Sequence, residues 1–247
     1  MMNPTLILAT DLDGTFLGGS PAQRRELFDW LNDHPDQLLI FVTGRDLEFI
    51  RELIAQPGVP RPRYIIGDIG TSVYDGQTFL PIPEVEQHIA GLWGQGTESI
   101  SALLDREPYL QLQPAEFRYR RSYDCDPAAV PAQVLRKIES AGFDWLLSGG
   151  QYLDVLPRGI SKGPTLLRLL DHLRLPRDPV LVAGDTLNDL SLFQTRLKGV
   201  AVGNAEPQLR QETRHMASVY ESPQPGAAGI WDALLHYQFR NRKEICS

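Results

Sequence analysis

Four short apolar runs punctuate the chain, at residues 6–9, 38–42, 64–66 and 180–183. None alternates polar with apolar positions, the pattern expected of strands covered on both faces by helices. Between them the spacing changes to that of amphipathic helices. Residues 21–31 place Leu27, Phe28 and Leu31 on one face, and residues 46–54 do the same with Leu47, Ile50, Leu53 and Ile54. Residues 162–175 are the clearest case, with Leu166, Leu167, Leu169, Leu170 and Leu173. Strand–helix alternation of this kind predicts an α/β fold, a doubly wound, Rossmann-like core built on a parallel sheet.

The rhythm breaks between residues 81 and 156. Here the pattern predicts a helix over 84–105, loosened by Gly91, Gly94 and Gly96, then strand-like segments at 109–113 and 117–123. A helix carrying Val134, Leu135 and Ile138 follows Asp126-Pro127, and two further strands fall at 145–147 and 152–156. This mixture reads as an inserted α+β cap domain, residues 81–156, dividing a core made of residues 1–80 and 157–247. The charged tail 239–247 lacks periodicity and is expected to fray.

Composition narrows the functional classes. Of 247 residues, 42% are hydrophobic and 22% charged, too apolar for a disordered chain and ordinary for a globular one. Lys and Arg number 24 against 31 Asp and Glu, a net charge of −7. Such a chain is a poor candidate for binding nucleic acid or an anionic membrane, and any anionic substrate must be drawn in locally. The two cysteines, Cys125 and Cys246, are too few for a disulfide scaffold and are expected to be reduced thiols in a cytoplasmic protein. The first residues carry neither a basic segment nor an apolar stretch long enough for a signal or a membrane span.

Four places can carry chemistry, each at the end of a predicted strand or the start of a predicted helix. Asp11-Leu12-Asp13-Gly14-Thr15 follows the first run, where open α/β sheets bind their ligands. Alternate residues at a strand end can both face a cleft, and two carboxylates so close favour a nearby cation. Read alone, the segment is an Asp-Gly turn. Thr43-Gly44-Arg45-Asp46 opens a helix, so Thr43 is either its N-cap or a hydroxyl offered to phosphate, and the two are compatible. Lys162, between Ser161 and Gly163, stands at a helix N-terminus against the dipole, a penalty of about 0.3–1 kcal/mol that neutralising a phosphate would offset. Asp185 and Asp189, in Gly184-Asp185-Thr186-Leu187-Asn188-Asp189, lie one turn apart if helical and offer hard oxygens suited to Mg²⁺.

Taken together these segments resemble the four motifs of the haloacid dehalogenase superfamily of phosphotransferases, in the family order, over nearly the whole chain. Within that superfamily the chain is similar to the sucrose-6-phosphate phosphatase family. The supporting stretches are Ile65-Ile66-Gly67-Asp68-Ile69-Gly70-Thr71, Leu153-Asp154-Val155-Leu156-Pro157 with Ser161-Lys162-Gly163, and Gly203-Asn204-Ala205-Glu206-Pro207.

The resemblance implies a Mg²⁺-dependent phosphatase of a sugar phosphate, working through an aspartyl-phosphate on Asp11. It makes Asp13 the general acid/base, with its main-chain carbonyl on the metal. Thr43, Gly44, Lys162 and Asn188 hold the phosphate, and Asp11, Asp13, Asp185 and Asp189 form the metal set. Many sucrose-phosphate phosphatases carry Asn where this chain has Gly14, which leaves related disaccharide phosphates such as mannosylfructose phosphate open beside sucrose-6-phosphate. The insert is expected to choose the sugar, with Tyr109, Arg118, Tyr119, Tyr123 and Gln151 as polar and aromatic candidates. Two other readings stand beside this one: a phosphosugar mutase of the same fold, and a non-catalytic partner of a sugar-phosphate synthase. Association with such a synthase is also compatible with the phosphatase reading.

Overall fold

The computed structural model describes residues 4–239. The expectations for Cys246 and for the tail after Phe239 therefore lie outside the described residues. In chain order, β1 (Ile7–Thr10), α1 (Pro21–Asp33), β2 (Leu38–Val42), α2 (Leu47–Ile54), β3 (Tyr64–Gly67) and β4 (Ser72–Asp75) come first. The middle of the chain forms α3 (Pro83–Trp93), α4 (Gly96–Leu104), β5 (Gln111–Leu112), β6 (Arg121–Asp124), α5 (Ala132–Ser140), β7 (Phe143–Ser148) and β8 (Tyr152–Pro157). The chain continues through α6 (Lys162–His172), β9 (Val180–Gly184), α7 (Leu190–Gln194), β10 (Lys198–Ala201), α8 (Pro207–Thr213), β11 (Val219–Glu221) and α9 (Gly226–His236).

Seven strands form one sheet in the order β11-β10-β9-β1-β2-β3-β4, parallel throughout except for β4, which runs antiparallel to β3. All four predicted runs are in it. Strand β1 is flanked by β2 on one side and β9 on the other, with Thr10 level with Phe41 and Ala183. The strand order reverses here, and the crevice outside the carboxyl end of β1 is where such sheets take ligands. The two faces of the sheet bury separate cores. Ile7, Ala9, Ile40 and Val182 pack with Ile89, Leu166 and Leu192, while Leu8, Phe41 and Leu181 pack with Leu27, Ile50 and Ile230. Successive residues of β1 therefore serve opposite faces, and both faces are apolar, which is why the run does not alternate.

The second sheet is antiparallel, in the order β5-β6-β8-β7, and has its own core of Trp93, Ile100, Tyr123, Val134, Ile138, Leu153 and Val155; it faces the carboxyl end of the first sheet across a shared cavity. Its details depart from expectation. The helix predicted over 84–105 is two helices, because Gly94 takes a positive φ of 52° and breaks the ladder. The segments expected at 109–113 and 117–123 pair only over Gln111–Leu112 and Arg121–Asp124. Among the described residues, no helix is long and apolar enough to cross a membrane.

Candidate active site

The chain leaves β1 with the Asp11 amide donating to the Ala183 carbonyl at 2.9 Å, so the strand ladder carries Asp11 to the edge of the crevice. A wide turn follows, closed by Phe16 N to Asp11 O at 3.1 Å and Leu17 N to Leu12 O at 2.8 Å. Leu12 and Phe16 are fully buried and anchor this turn, while Asp11 and Asp13 line a common cavity. Gly14 has a φ of 77°, and a Cβ there would lie 2.1 Å from Asp185 Oδ2. Only glycine lets the turn close on Asp185 without displacing that carboxylate.

Lys162 is fully buried at the start of α6. Its ammonium donates to Asp11 Oδ1 at 2.7 Å, Asn188 Oδ1 at 2.7 Å and Asp189 Oδ1 at 2.6 Å. Three acceptors use all three of its protons and outweigh the opposing helix dipole. The lysine is therefore not the solvated surface charge that one basic residue on a helix ordinarily is. Asp189 turns its other oxygen, Oδ2, to the amides of Asp185 and Thr186 at 3.0 and 3.1 Å, which locks the segment after β9. Asp185 in turn accepts from Thr15 Oγ1 at 2.9 Å and Asn204 Nδ2 at 3.3 Å. Thr186 caps the short turn at Leu187–Asp189.

Asp11, Asp185 and Asp189 thus bring carboxylate oxygens within 4.8 Å of one another, all three residues buried. Three carboxylates against one ammonium leave two negative charges unbalanced in a low-dielectric site. Burial, then the Asp189 charge, pushes the Asp185 carboxyl up to about 7. Burial also raises Asp11 well above the usual carboxylate range, against the pull of Lys162. Burial works against the Lys162 charge, but Asp11 and Asp189 outweigh it and hold the ammonium protonated. A hard divalent cation fits this donor set in ligand type and in charge.

Thr43 is buried, and its hydroxyl accepts from the Arg45 amide at 3.1 Å. It is not the N-cap of α2. That role falls to Asp46, whose Oδ1 accepts from Phe49 N at 2.9 Å. Gly44 lines the cavity directly. Asp13 stands half-exposed at the mouth, gripped by Arg45 through Nε to Oδ2 at 2.8 Å and Nη2 to Oδ1 at 3.1 Å. Of the acidic residues anticipated for the metal, Asp13 is the one whose side chain lies outside the three-carboxylate cluster. The segment at Asp68–Gly70 reaches the same cavity through Ile69, with Asp68 and Ile69 both at positive φ (52° and 58°). For a β-branched residue that is strained backbone. Thr165 Oγ1 ties the segment to α6 through the Gly70 carbonyl at 2.7 Å.

The cavity has a volume of about 410 Å³ and its roof is the antiparallel sheet. None of the five cap residues anticipated from polarity lines it. Tyr109 bonds Glu107, Tyr123 bonds Asp105, Gln151 bonds the Tyr152 hydroxyl, and Tyr119 packs against the hydrophobic clusters. Arg118 is drawn instead to Glu86 and the Tyr74 hydroxyl, tying the cap to the core sheet. The cap side chains that do face the cavity are those of Gln113, Phe117, Arg120, Ser148, Tyr152 and Asp154. Asp154 lay in a stretch that carried the family resemblance, but nothing in the sequence gave it a direction. Also missed as individual residues were Thr15, Arg45, Asn204 and Glu206. Asn204 bridges the Gly14 carbonyl (3.0 Å) to Asp185, and Glu206 accepts from Leu187 N at 3.0 Å.

Comparison with known proteins converges on one group. The model of the sucrose-6F-phosphate phosphohydrolase family matches residues 4–238. The chain is 41% identical over 247 residues to the glucosylglycerol-phosphate synthase of Pseudomonas anguilliseptica, covering 98% of this chain but only 32% of that relative's length. It is 30% identical over 254 residues to the mannosylfructose-phosphate phosphatase of Agrobacterium fabrum, covering 98% of this chain and 100% of the other. Among solved structures, the sucrose-phosphatase of Synechocystis in complex with sucrose and phosphate superposes with a TM-score of 0.86 at 27% identity, covering 95% of this chain and 98% of that one.

Proposed function

The chain belongs to the sucrose-6F-phosphate phosphohydrolase family and is a phosphoric monoester hydrolase, and from that premise we propose that it releases phosphate from a phosphorylated glycoside with Asp11 as nucleophile. The observation that carries this reading is the Lys162–Asp11 bond of 2.7 Å at the floor of a cavity shared with Asp13, beside Asp185 and Asp189. Glucosylglycerol phosphate heads the candidates, because the 41% identity is to one third of a synthase that bears that name. Mannosylfructose phosphate and sucrose-6-phosphate follow, from relatives at lower identity. The same match supports a working partnership with a synthase that makes the phosphorylated glycoside. The core is taken as residues 1–80 and 157–247, and the cap as 81–156.

Charge dictates the mechanism. A carboxylate approaching a phosphate dianion is repelled, and Lys162 lowers that repulsion while aiming Asp11. Asp11, Asp185 and Asp189 with the Asp13 carbonyl would hold Mg²⁺, which supplies further neutralisation of the phosphate charge when bound. Asp189 accepts one hydrogen bond on Oδ1 and two on Oδ2, against one on each Asp185 oxygen and one on Asp11, so Asp189 has the least coordinating capacity to spare. Thr43, the Gly44 backbone and Asn188 would hold the phosphate oxygens. Asp13 would give a proton to the departing glycoside oxygen, then take one from the water that cleaves the phosphoryl group from Asp11. The cap would exclude other water.

Phosphate release measured across glucosylglycerol phosphate, mannosylfructose phosphate, sucrose-6-phosphate and trehalose-6-phosphate tests the proposal. Mg²⁺-dependent release that vanishes in Asp11→Asn is expected. An isomerised sugar phosphate in place of free phosphate would mark a mutase instead.

A further inference from the structure

Among the described residues, one pair of adjacent non-glycine residues occupies the left-handed region, Asp68 and Ile69, at φ 52° and 58°, and Gly70 follows at 99°. Such backbone is costly for an L-residue, most of all for a β-branched one. It persists only where the surroundings over-determine it. Here two neighbours do so. The first is the loop after β2. The Asp68 amide donates to the Arg45 carbonyl at 3.2 Å and the Ile69 amide to the Thr43 carbonyl at 3.0 Å, while the Thr43 amide donates to Ile66 O at 2.9 Å. Ile69 is 3% exposed, and its Cγ1 lies 3.6 Å from where a Cβ on Gly44 would stand. The second neighbour is the first turn of α6. A Cβ on Gly70 would lie 2.4 Å from the Ser161 carbonyl carbon and 2.7 Å from the Lys162 amide nitrogen, so backbone meets backbone directly.

Thr165 completes that second contact. A threonine inside a helix commonly turns its hydroxyl back to the carbonyl one turn earlier. Thr165 Oγ1 donates instead to the Gly70 carbonyl at 2.7 Å, across 95 positions of sequence. The residue is buried and does not line the catalytic cavity, so it can act on a substrate only through what it holds. What it holds lies between the two elements assigned to the phosphate, the Thr43–Gly44 loop and the Lys162 turn. Those elements grip one phosphoryl group only at a fixed separation, and a misplacement of about 1 Å can cost on the order of 10²-fold in rate.

We propose that Asp68–Gly70 is a strained clasp that sets the spacing between the Thr43–Gly44 loop and Lys162, and that Thr165 is the positioning residue that keeps it closed. This role rests on the phosphatase reading above and concerns the phosphate end of the site, whatever the ester carries beyond it.

The test measures kcat and KM for p-nitrophenyl phosphate, sucrose-6-phosphate and glucosylglycerol phosphate, with Mg²⁺, beside thermal melts, in the wild type, Thr165→Val and Thr165→Ser. Valine keeps the shape without the donor, and serine keeps the donor. In Thr165→Val kcat should fall about tenfold or more, by the same factor for all three esters, because they share only the phosphate end. Thr165→Ser should stay within about threefold of the wild type. A hydroxyl that serves stability alone would lower the melting temperature and leave kcat unchanged. That result, a loss confined to one ester, or equal losses in both variants overturns the clasp and leaves the phosphatase reading standing. Should Thr165→Val fail to fold, Asp68→Gly decides, since it lifts the left-handed bias of the segment without removing a backbone bond. Its kcat should fall about threefold or more for every ester, and an undiminished kcat overturns the clasp. A wild type inert toward every ester would instead overturn the phosphatase reading. Calorimetric titration of inorganic phosphate with Mg²⁺ then decides the clasp, which requires wild-type binding that weakens about tenfold in Thr165→Val.

Discussion

Arg45 takes the Asp13 carboxylate side-on, Nε to Oδ2 at 2.8 Å and Nη2 to Oδ1 at 3.1 Å, with both side chains about half exposed. An exposed pair of this kind adds only about 0–1 kcal/mol to stability. Its geometric effect is larger, because a two-point fork fixes the rotamer of the residue proposed to protonate the leaving oxygen. Arg45→Ala should therefore lower kcat/KM on the order of 10-fold or more while shifting the melting temperature by less than about 4 °C. Steady-state kinetics beside a thermal melt reads both. A variant with wild-type kinetics would reduce the contact to a surface ion pair.

Asp11→Asn keeps the shape of the site and removes its nucleophile. Because burial already disfavours the charged form of Asp11, the neutral amide should fold as well as the wild type or better in the absence of metal. Phosphate release should drop on the order of 10⁴-fold or more. Malachite-green phosphate assays and urea unfolding of the same preparation separate the two effects. Loss of activity accompanied by loss of folding would argue that Asp11 acts structurally.

Lys162→Met removes the one ammonium serving Asp11, Asn188 and Asp189. It leaves buried carboxylates facing each other with no cation between them. Breaking a buried ionic network from one side costs about 3–5 kcal/mol. That loss should show in urea unfolding with chelator present and shrink when saturating Mg²⁺ restores positive charge. A loss of the same size with and without Mg²⁺ would mean the ion does not occupy the carboxylate cluster.

The sequence exposed the site unevenly, for physical reasons. Asp11, Lys162, Asp185 and Asp189 are legible because each is delivered by a strand end or helix start whose apolar pattern is strong. Residues delivered by loops are not. Arg118 was a plausible sugar contact from its neighbours, but Glu86, 32 residues away, captures it. Arg120, two positions on, turns into the cavity instead. No local pattern distinguishes the two arginines, since the difference is made by Glu86, Asp154 and the Phe117 ring. The short strands β4, β10 and β11 were missed in the same way, being three or four residues long and stabilised by pairing partners rather than by their own periodicity.

Metal binding and protonation compete at Asp185. Its carboxyl titrates near 7 in the folded metal-free protein, pushed up by burial and the Asp189 charge. In the unfolded chain it would titrate at roughly pH 4. Between those values the native state holds a proton that the unfolded chain has released. The stability this group contributes is therefore present in full below about pH 4 and is lost as pH rises through about 7. A bound divalent ion needs the ionised carboxylate, so its affinity should climb with pH over the same window, by up to about tenfold per unit. Thermal melts at pH 5.5, 6.5 and 8, with chelator and with Mg²⁺, should show the gap between the two curves widening as pH rises. A gap that stays constant would place the ion elsewhere, because only a site that displaces the Asp185 proton gains from its release.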